Sequence, residues 1–141
     1  MLVRLIYASR AANASDQDQL ATILRQSKAR NPGLGITGLL CLSDGVFLQA
    51  REGGRAAVNA LYNRIVADPR HSGVQLLCFE EIAERRFAGW SMGQVNLAQL
   101  NPALLLKYSE TAALDPFDLS GKVLMTLFDD LVATASIACQ P

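Results

Sequence analysis

Few side chains in this sequence could do chemistry, and the familiar catalytic motifs are absent. The chain has one histidine, His71, and its three cysteines form no CxxC pair. The sequence contains no P-loop, GxGxxG, GxSxG, HExxH or EF-hand pattern. One histidine does not build a His-rich metal site. His71 is typical of a turn residue after a helix, and the alternative is a polar ligand contact made together with Arg70.

Three polar residues occupy positions where a core residue is expected. Tyr7 shares one strand face with Val3 and Leu5, and Gln49 shares another with Phe47. Asn31 stands at the end of a predicted helix. Buried polar groups need partners, so these side chains either satisfy one another and nearby backbone or surround a planar heterocycle with donors and acceptors on its edge. The spacing alone leaves both readings open.

The elements that must position these side chains follow from periodicity and turn signals. Ser15 with Asp18 three positions on resembles a helix capping box, and Asn31-Pro32-Gly33 predicts the end of that helix. The patterns predict helices over 16–30 and 55–67, and strands over 2–9, 35–42, 46–51, 74–82 and 90–95. The order β-α-β-β-α-β-β predicts an α+β, ferredoxin-like five-stranded sheet with two helices on one face.

The tail predicts a cover for the other face of the sheet. A short helix is expected over 101–108, and a strongly apolar helix over 117–138 begins after Asp115. The apolar stripe of that second helix recurs at helical spacing and comprises Leu124, Leu127, Phe128 and Leu131. We therefore expect residues 1–97 to form the functional domain and 98–141 a helical extension packed on the sheet.

Composition narrows the class of protein. The chain has 141 residues, half of them apolar, with 13 basic and 13 acidic side chains and a formal net charge of zero. A balanced chain offers no basic field for nucleic acid or an anionic membrane. No apolar run reaches the ~18 residues of a membrane span. The odd, unpaired cysteines indicate a reduced, cytoplasmic protein, and the zero net charge is compatible with a homo-oligomer such as a dimer.

Five blocks of sequence resemble the BLUF family, the blue-light sensors that use flavin. They are L-x-R-L-I-Y-x-S at 2–9, N-P-x-x-G-I-T-G-x-L at 31–40, D-G-x-F-x-Q-x-x-E-G at 44–53, D-x-R-H at 68–71 and R-x-F-x-x-W-x-M at 86–92. They occur in the family's order and spacing from residue 2 to about 96. The tail resembles the two-helix extension of short, single-domain members.

The resemblance implies a noncovalently bound flavin, FAD with FMN or riboflavin as alternatives, and assigns its site. Tyr7, Gln49, Met92 and Trp90 are implied as the photochemical set, with Met92 and Trp90 exchanging places on the fifth strand. Asn31 is implied to hydrogen-bond the polar edge of the ring. The remaining implied cofactor contacts are Ser9, the apolar residues Ile23, Leu40, Phe47 and Ile65, and, near the ribityl chain or phosphates, Arg30, Asp68, Arg70 and His71.

The implied mechanism is a switch of hydrogen bonds without turnover of a substrate. An electron passes from Tyr7 to the excited flavin while a proton moves through Gln49, whose amide ends rotated or tautomerised. A new hydrogen bond to the C4 carbonyl then moves the absorption to the red. The output biases a bistable element, expected to be the fifth strand and the tail helices, toward a downstream protein partner that the sequence does not identify.

One position departs from the family pattern. The family usually has a leucine before the Glu-Gly pair, and this chain has Arg51 before Glu52 and Gly53. Arg51 alternates in register with Phe47 and Gln49, so it is expected on the pocket side. A buried unpaired guanidinium is costly, so we expect Arg51 to reach water from the strand end or to pair with an acid.

Two other classes of function compete with a photoreceptor. One is a non-photoactive regulatory module on the same fold that binds a metabolite and a protein partner. The other is a small enzyme, which the absence of a nucleophile–base pair or metal set argues against. A yellow colour of the purified protein distinguishes the photoreceptor from both.

Overall fold

The computed structural model describes residues 1–11, 17–43 and 45–134. Its strands are β1 (Leu2–Ala11), β2 (Thr37–Ser43), β3 (Val46–Gly54), β4 (His71–Ile82) and β5 (Gly93–Asn96). Its helices are α1 (Gln17–Leu34), α2 (Arg55–Ala67), α3 (Pro102–Leu106) and α4 (Gly121–Ala133). Short 3-10 turns precede α3 and α4, over Leu97–Gln99 and Pro116–Asp118. None of these described helices is long and apolar enough to cross a membrane.

The five strands form one sheet in the order β4-β1-β3-β2-β5. The β1–β3, β1–β4 and β2–β3 pairs are antiparallel, and β5 adds to β2 in parallel. The predicted α+β, ferredoxin-like architecture is therefore confirmed, with β5 as an added edge strand.

Alternation along the central strands sends side chains to two different cores. On β1, Val3, Leu5 and Tyr7 pack with residues of α2, while Ile6 and Ala8 pack with the tail. The tail side includes Leu105 of α3 and the α4 residues Leu124, Leu127, Phe128 and Leu131, all buried. As predicted, α1 and α2 cover one face of the sheet, and α3 and α4 cover the other.

The first helix ends later than Pro32 predicts. Helix α1 continues to Leu34 and stops in a Schellman motif, in which Ile36 N donates to Asn31 O at 2.9 Å and Gly35 N to Pro32 O at 3.2 Å. Gly35 adopts φ +68°, a conformation that favours glycine. Pro32 lies in the last turn, so it removes only one helical hydrogen bond. The predicted start at Ser15 and Asp16 lies outside the described residues.

Other boundaries shift for reasons visible in the structure. Strand β4 begins at His71 rather than at residue 74, so His71 is a strand residue and not a turn residue. Helix α4 begins at Gly121 rather than 117, because Leu119 is extended and the Ser120 hydroxyl caps the helix by accepting from Val123 N at 3.2 Å. Its predicted end at 138 lies outside the described residues. Helix α2 has its predicted bounds.

Strand β5 begins at Gly93, not at Trp90. The segment before it is held by other contacts: the buried Glu52 carboxylate accepts from the backbone N–H groups of Arg86 at 3.0 Å and Phe87 at 2.7 Å. Gly38 N of β2 donates to Trp90 O at 3.0 Å. These contacts fix the chain as a loop, so Trp90 and Met92 do not alternate on a strand.

We predict that the tail helices stabilise the fold through α4. Leu127→Ala should lower the free energy of unfolding by about 2–5 kcal/mol, because Leu127 is fully buried against the sheet. Leu106→Ala on α3 is the matched control, because Leu106 is 52% exposed, and its effect should stay within about 0.5 kcal/mol. Urea unfolding measures both. Equal losses in the two variants would contradict this packing of α4.

Candidate functional site

Strand pairing places the predicted polar residues side by side on the face covered by α1 and α2. Gln49 on β3 lies opposite Tyr7 on β1 and opposite Leu40 on β2. Two residues before Gln49 on the same face of β3, Phe47 lies opposite Ser9. Directly opposed residues of an antiparallel pair project to the same face, so this register brings a phenol, an amide and a hydroxyl together.

Above this row of side chains, α1, α2 and the sheet enclose a cleft. It holds about 520 Å³ of atom-free space, counting the part open to solvent. Ile23 on α1 and Ile65 on α2 contribute apolar walls, and the Gln49 and Arg51 side chains line its base. The residues that line the cleft are Ile23, Gln26, Ser27, Arg30, Asn31, Gln49, Arg51, Leu61, Arg64, Ile65, Asp68, Arg70 and His71.

The lining of the cleft is strongly positive although the whole chain is neutral. Four arginines and one aspartate line it, which gives a formal charge of +3 with His71 neutral. Asp68 is already engaged by Arg70, whose Nη2 donates to Asp68 Oδ2 at 2.6 Å. That hydrogen bond lowers the pKa of Asp68 below its ordinary value and raises the pKa of Arg70. Among the described residues, Arg30 and Arg64 have no acidic partner within 4.0 Å.

His71 is buried at the end of the cleft and tied to β1. Its Nδ1 lies 2.9 Å from Ser9 Oγ, and its ring packs against Phe47 with centroids 5.2 Å apart. Burial lowers the pKa of His71, and the nearby Asp68 carboxylate partly opposes that shift. A neutral imidazole has one nitrogen that donates and one that accepts. The Ser9 hydroxyl can therefore either donate a hydrogen bond to Nδ1 or accept one from it, depending on the tautomer.

The Tyr7 hydroxyl is fully buried and has no hydrogen-bond partner among the described residues. Its ring meets Tyr62 edge-on, with centroids 5.5 Å apart. Burial raises the pKa of Tyr7, and the Arg51 side chain opposes that rise through its positive charge and its place beside the hydroxyl. An unpartnered buried phenol is expensive, so this site favours a bound group that gives Tyr7 a hydrogen-bond partner.

Arg51 enters the cleft instead of reaching water. The residue is 2% exposed, and no acidic side chain of the described residues pairs with it. Its Nη2 donates to Gln49 Oε1 at 2.5 Å and its Nη1 lies 3.9 Å from Met92 Sδ, while Nε has no partner. Both expected solutions, exposure at the strand end and pairing with an acid, are wrong, because β3 continues to Gly54 and keeps Arg51 inside the sheet.

Met92 and Trp90 lie on opposite sides of the sheet. Met92 is buried and packs with Ile23, Leu40 and Phe47 on the α1 side, whereas Trp90 packs against the tail core. Between them, Ser91 O accepts a hydrogen bond from Asn31 Nδ2 at 2.7 Å. The loop before β5 therefore contacts the cleft through Asn31 and Met92.

The structure brings most of the predicted site residues together. Eight line the cleft, and these are Ile23, Arg30, Asn31, Gln49, Ile65, Asp68, Arg70 and His71. Tyr7, Ser9, Leu40, Phe47 and Met92 lie in the layer beneath, and Trp90 is the one placed on the other face. Gln26, Ser27, Leu61 and Arg64 were missed. They follow from helical spacing, since Gln26 and Ser27 are three and four residues after Ile23, Leu61 is four residues before Ile65, and Arg64 is three residues after Leu61.

The described residues contain no group of three or more His, Cys, Asp or Glu side chains that could hold a metal ion. Of the cysteines, Cys41 is buried on the tail side of the sheet, where burial raises the pKa of its thiol to about 12. Cys78 is half-buried on β4, and Cys139 lies outside the described residues. Neither described cysteine lines the cleft.

The family model and the curated relatives that match this chain are all light-responsive proteins. Residues 2–93 match the family model "BLUF: Sensors of blue-light using FAD". The chain is 37% identical over 92 residues to photoactivated adenylate cyclase subunit beta of Euglena longa, and 40% identical over 84 residues to the alpha subunit of Euglena gracilis. These matches cover 64% and 60% of this chain but 11% and 8% of the relatives, so the chain spans about a tenth of their length.

Two solved structures are similar to this one over nearly the whole chain. The photo-activated state of BlsA is 32% identical with a TM-score of 0.84, and the match covers 100% of this chain and 99% of that one. The dark state of BlrB, a BLUF protein, is 36% identical with a TM-score of 0.79, covering 95% and 96%. With a family match over most of its length, the chain belongs to the BLUF family of flavin-binding blue-light sensors.

Proposed function

We propose that the cleft between α1, α2 and the sheet holds the flavin of this blue-light sensor. The observation that carries the proposal is the buried, unpartnered Tyr7 hydroxyl directly opposite Gln49 at the base of the cleft. A second unpartnered donor, Arg51 Nε, lies in the same wall. The family assignment does not favour the alternative, a non-photoactive regulatory module.

The residues present fit a flavin. A flavin ring is flat and apolar on both faces, and Ile23 and Ile65 offer aliphatic contacts from opposite helices. One edge of the ring carries carbonyl acceptors and an N–H donor, which suit the amides of Asn31 and Gln49 because an amide both donates and accepts. The donors of Arg51 suit the same carbonyls. These five residues support a noncovalent site, since no described cysteine lines the cleft.

When bound, a flavin supplies the absorption of blue light and an excited state that is a strong oxidant. Tyr7 is an oxidisable group directly opposite Gln49 on the neighbouring strand, and its phenol can release an electron and a proton. Gln49 is the adjacent group that can accept a proton at Oε1 or present Nε2 as a donor. We propose that Gln49 changes its hydrogen-bond orientation when Tyr7 loses its proton, and that this change is the signal.

Charge at the mouth of the cleft supports a phosphorylated flavin, and we propose FAD. Arg30 and Arg64 are exposed and have no acidic partner among the described residues, and Arg70 has donors beyond those it uses on Asp68 and Gln26. Guanidinium groups bind phosphates through charge-assisted hydrogen bonds. Riboflavin lacks any phosphate to use these groups.

We propose that residues 1–97 are the sensor and 98–141 its helical extension. The family model ends at residue 93 and β5 ends at Asn96, and both ends support this boundary. Enzyme activity in the relatives' names belongs to those longer proteins. This chain is proposed to act as a sensor that signals to a protein partner, without catalysis of its own. The dimeric state and the cytoplasmic location stay predictions.

The Tyr7 hydroxyl is tested by Tyr7→Phe. The variant should keep its yellow colour, because the ring contacts remain, and should lose the light-induced red shift, because phenylalanine has no phenolic proton to release. Absorption spectra before and after blue illumination measure both. Tyr108→Phe is the control, since Tyr108 lies on the tail and hydrogen-bonds Asp130. A normal red shift in Tyr7→Phe would overturn the proposed role.

The phosphate contacts are tested with the double variant Arg30→Ala/Arg64→Ala. We expect FAD to bind about three- to tenfold more weakly, as for two largely solvent-exposed charge contacts, and riboflavin to change less than about twofold. Titration of the flavin-free protein, followed by flavin fluorescence, gives both affinities. Arg25→Ala is the control, because exposed Arg25 on α1 does not line the cleft. Equal losses for FAD and riboflavin would place the phosphates elsewhere.

A further inference from the structure

Arg51 and Gln49 form a buried side-chain hydrogen bond at the base of the cleft. Arg51 and Gln49 project to the same face of β3, and Nη2 donates to Oε1 at 2.5 Å. Arg51 is almost fully buried and has no acidic partner among the described residues. Gln49 Oε1 is the side-chain oxygen that hydrogen-bonds this guanidinium among the described residues.

The chemistry of the two groups decides which way the amide points. A guanidinium has five N–H donors and no acceptor, so it can be satisfied only by the oxygen end of Gln49. The reversed amide would place its NH₂ group against the guanidinium, donor against donor. A tautomer in which Oε1 carries a proton would likewise weaken the acceptor that Arg51 uses.

We propose that Arg51 is a positioning residue that fixes Gln49 with Oε1 toward the guanidinium and thereby shortens the lifetime of the light-activated state. The inference rests on the proposed function, in which Gln49 changes its hydrogen-bond orientation. Any rearrangement that turns Oε1 away costs the charge-assisted hydrogen bond from Arg51, and charge-assisted bonds are about twice as strong as neutral ones. Return to the resting orientation restores that bond.

Two consequences separate this role from a general effect on packing. Without the guanidinium, both orientations of Gln49 become accessible in the flavin-free protein. In the flavin-bound protein without the guanidinium, Gln49 makes as many hydrogen bonds in the light-activated state as in the resting state, because the bond from Arg51 is missing in both. Replacing the buried unpaired charge by an apolar side chain is expected to preserve or increase stability, so loss of folding is not the expected cause of any change.

The experiment compares the full chain with Arg51→Leu, Arg51→Met and Arg51→Lys. After a blue flash, the leucine and methionine variants should recover in the dark about ten- to a hundredfold more slowly, the range given by one hydrogen bond to a charged group. Arg51→Lys keeps a charged donor and should recover at a rate close to that of the unmodified chain. Arg25→Leu removes an exposed arginine outside the cleft and controls for net charge.

A measurement without flavin completes the test. In ¹⁵N-labelled flavin-free protein, the Gln49 side-chain NH₂ should give one resonance pair, and Arg51→Leu should give a doubled or averaged set. Unchanged recovery in both apolar variants, or an unchanged NH₂ signal, would overturn the role of Arg51. Failure of the unmodified chain to shift its absorption under blue light would instead overturn the proposed function.

Discussion

The strand register across β1, β3 and β2 is the constraint on which the rest of the structure depends. Because side chains alternate along a strand, the pairing of Tyr7 with Gln49 sends every second residue of three strands toward α1 and α2 and the others toward the tail. A slip of one residue would exchange the polar cleft with the apolar core beneath α4. Neighbours Arg51 and Glu52 show the separation: one guanidinium lies in the cleft, while the next carboxylate binds Arg4 and the loop at 86–87 on the other side.

A chain with no net charge can nevertheless have a cationic site. Net charge averages over the surface, whereas four arginines from both helices, β3 and the turn after α2 converge on one cleft. The same balanced charge predicts no nucleic-acid or anionic-membrane partner, because such partners need a broad basic face. A small anionic cofactor needs only a few guanidinium groups at one place, and composition does not reveal their convergence.

Short-range patterns predicted the topology, and the family resemblance predicted most of the cleft. Alternation identified the face of Tyr7 and Gln49, whereas the resemblance supplied Ile23 and Ile65 and linked segments that lie far apart in the chain. Sequence reasoning failed where long-range contacts decide. The Glu52 carboxylate holds the loop that contains Trp90, so Trp90 and Met92 lie before β5 and not on the predicted fifth strand. The depth of Arg51 likewise depends on the full length of β3 and on the layers above it, whereas alternation reports only its face.

The parallel pairing of β5 gives the molecule an edge that opens at low cost. Only four residue pairs, from Leu39–Gly93 to Leu42–Asn96, join β5 to the sheet. Met92 at its start contacts the cleft side, and the chain at its end runs directly into the tail helices. Segments with few ladder bonds open locally with much less free energy than global unfolding requires. Local unfolding of β5 would thus loosen the chain connection between the cleft and the tail helices, while the four antiparallel strands and the packing of α4 on them stay intact.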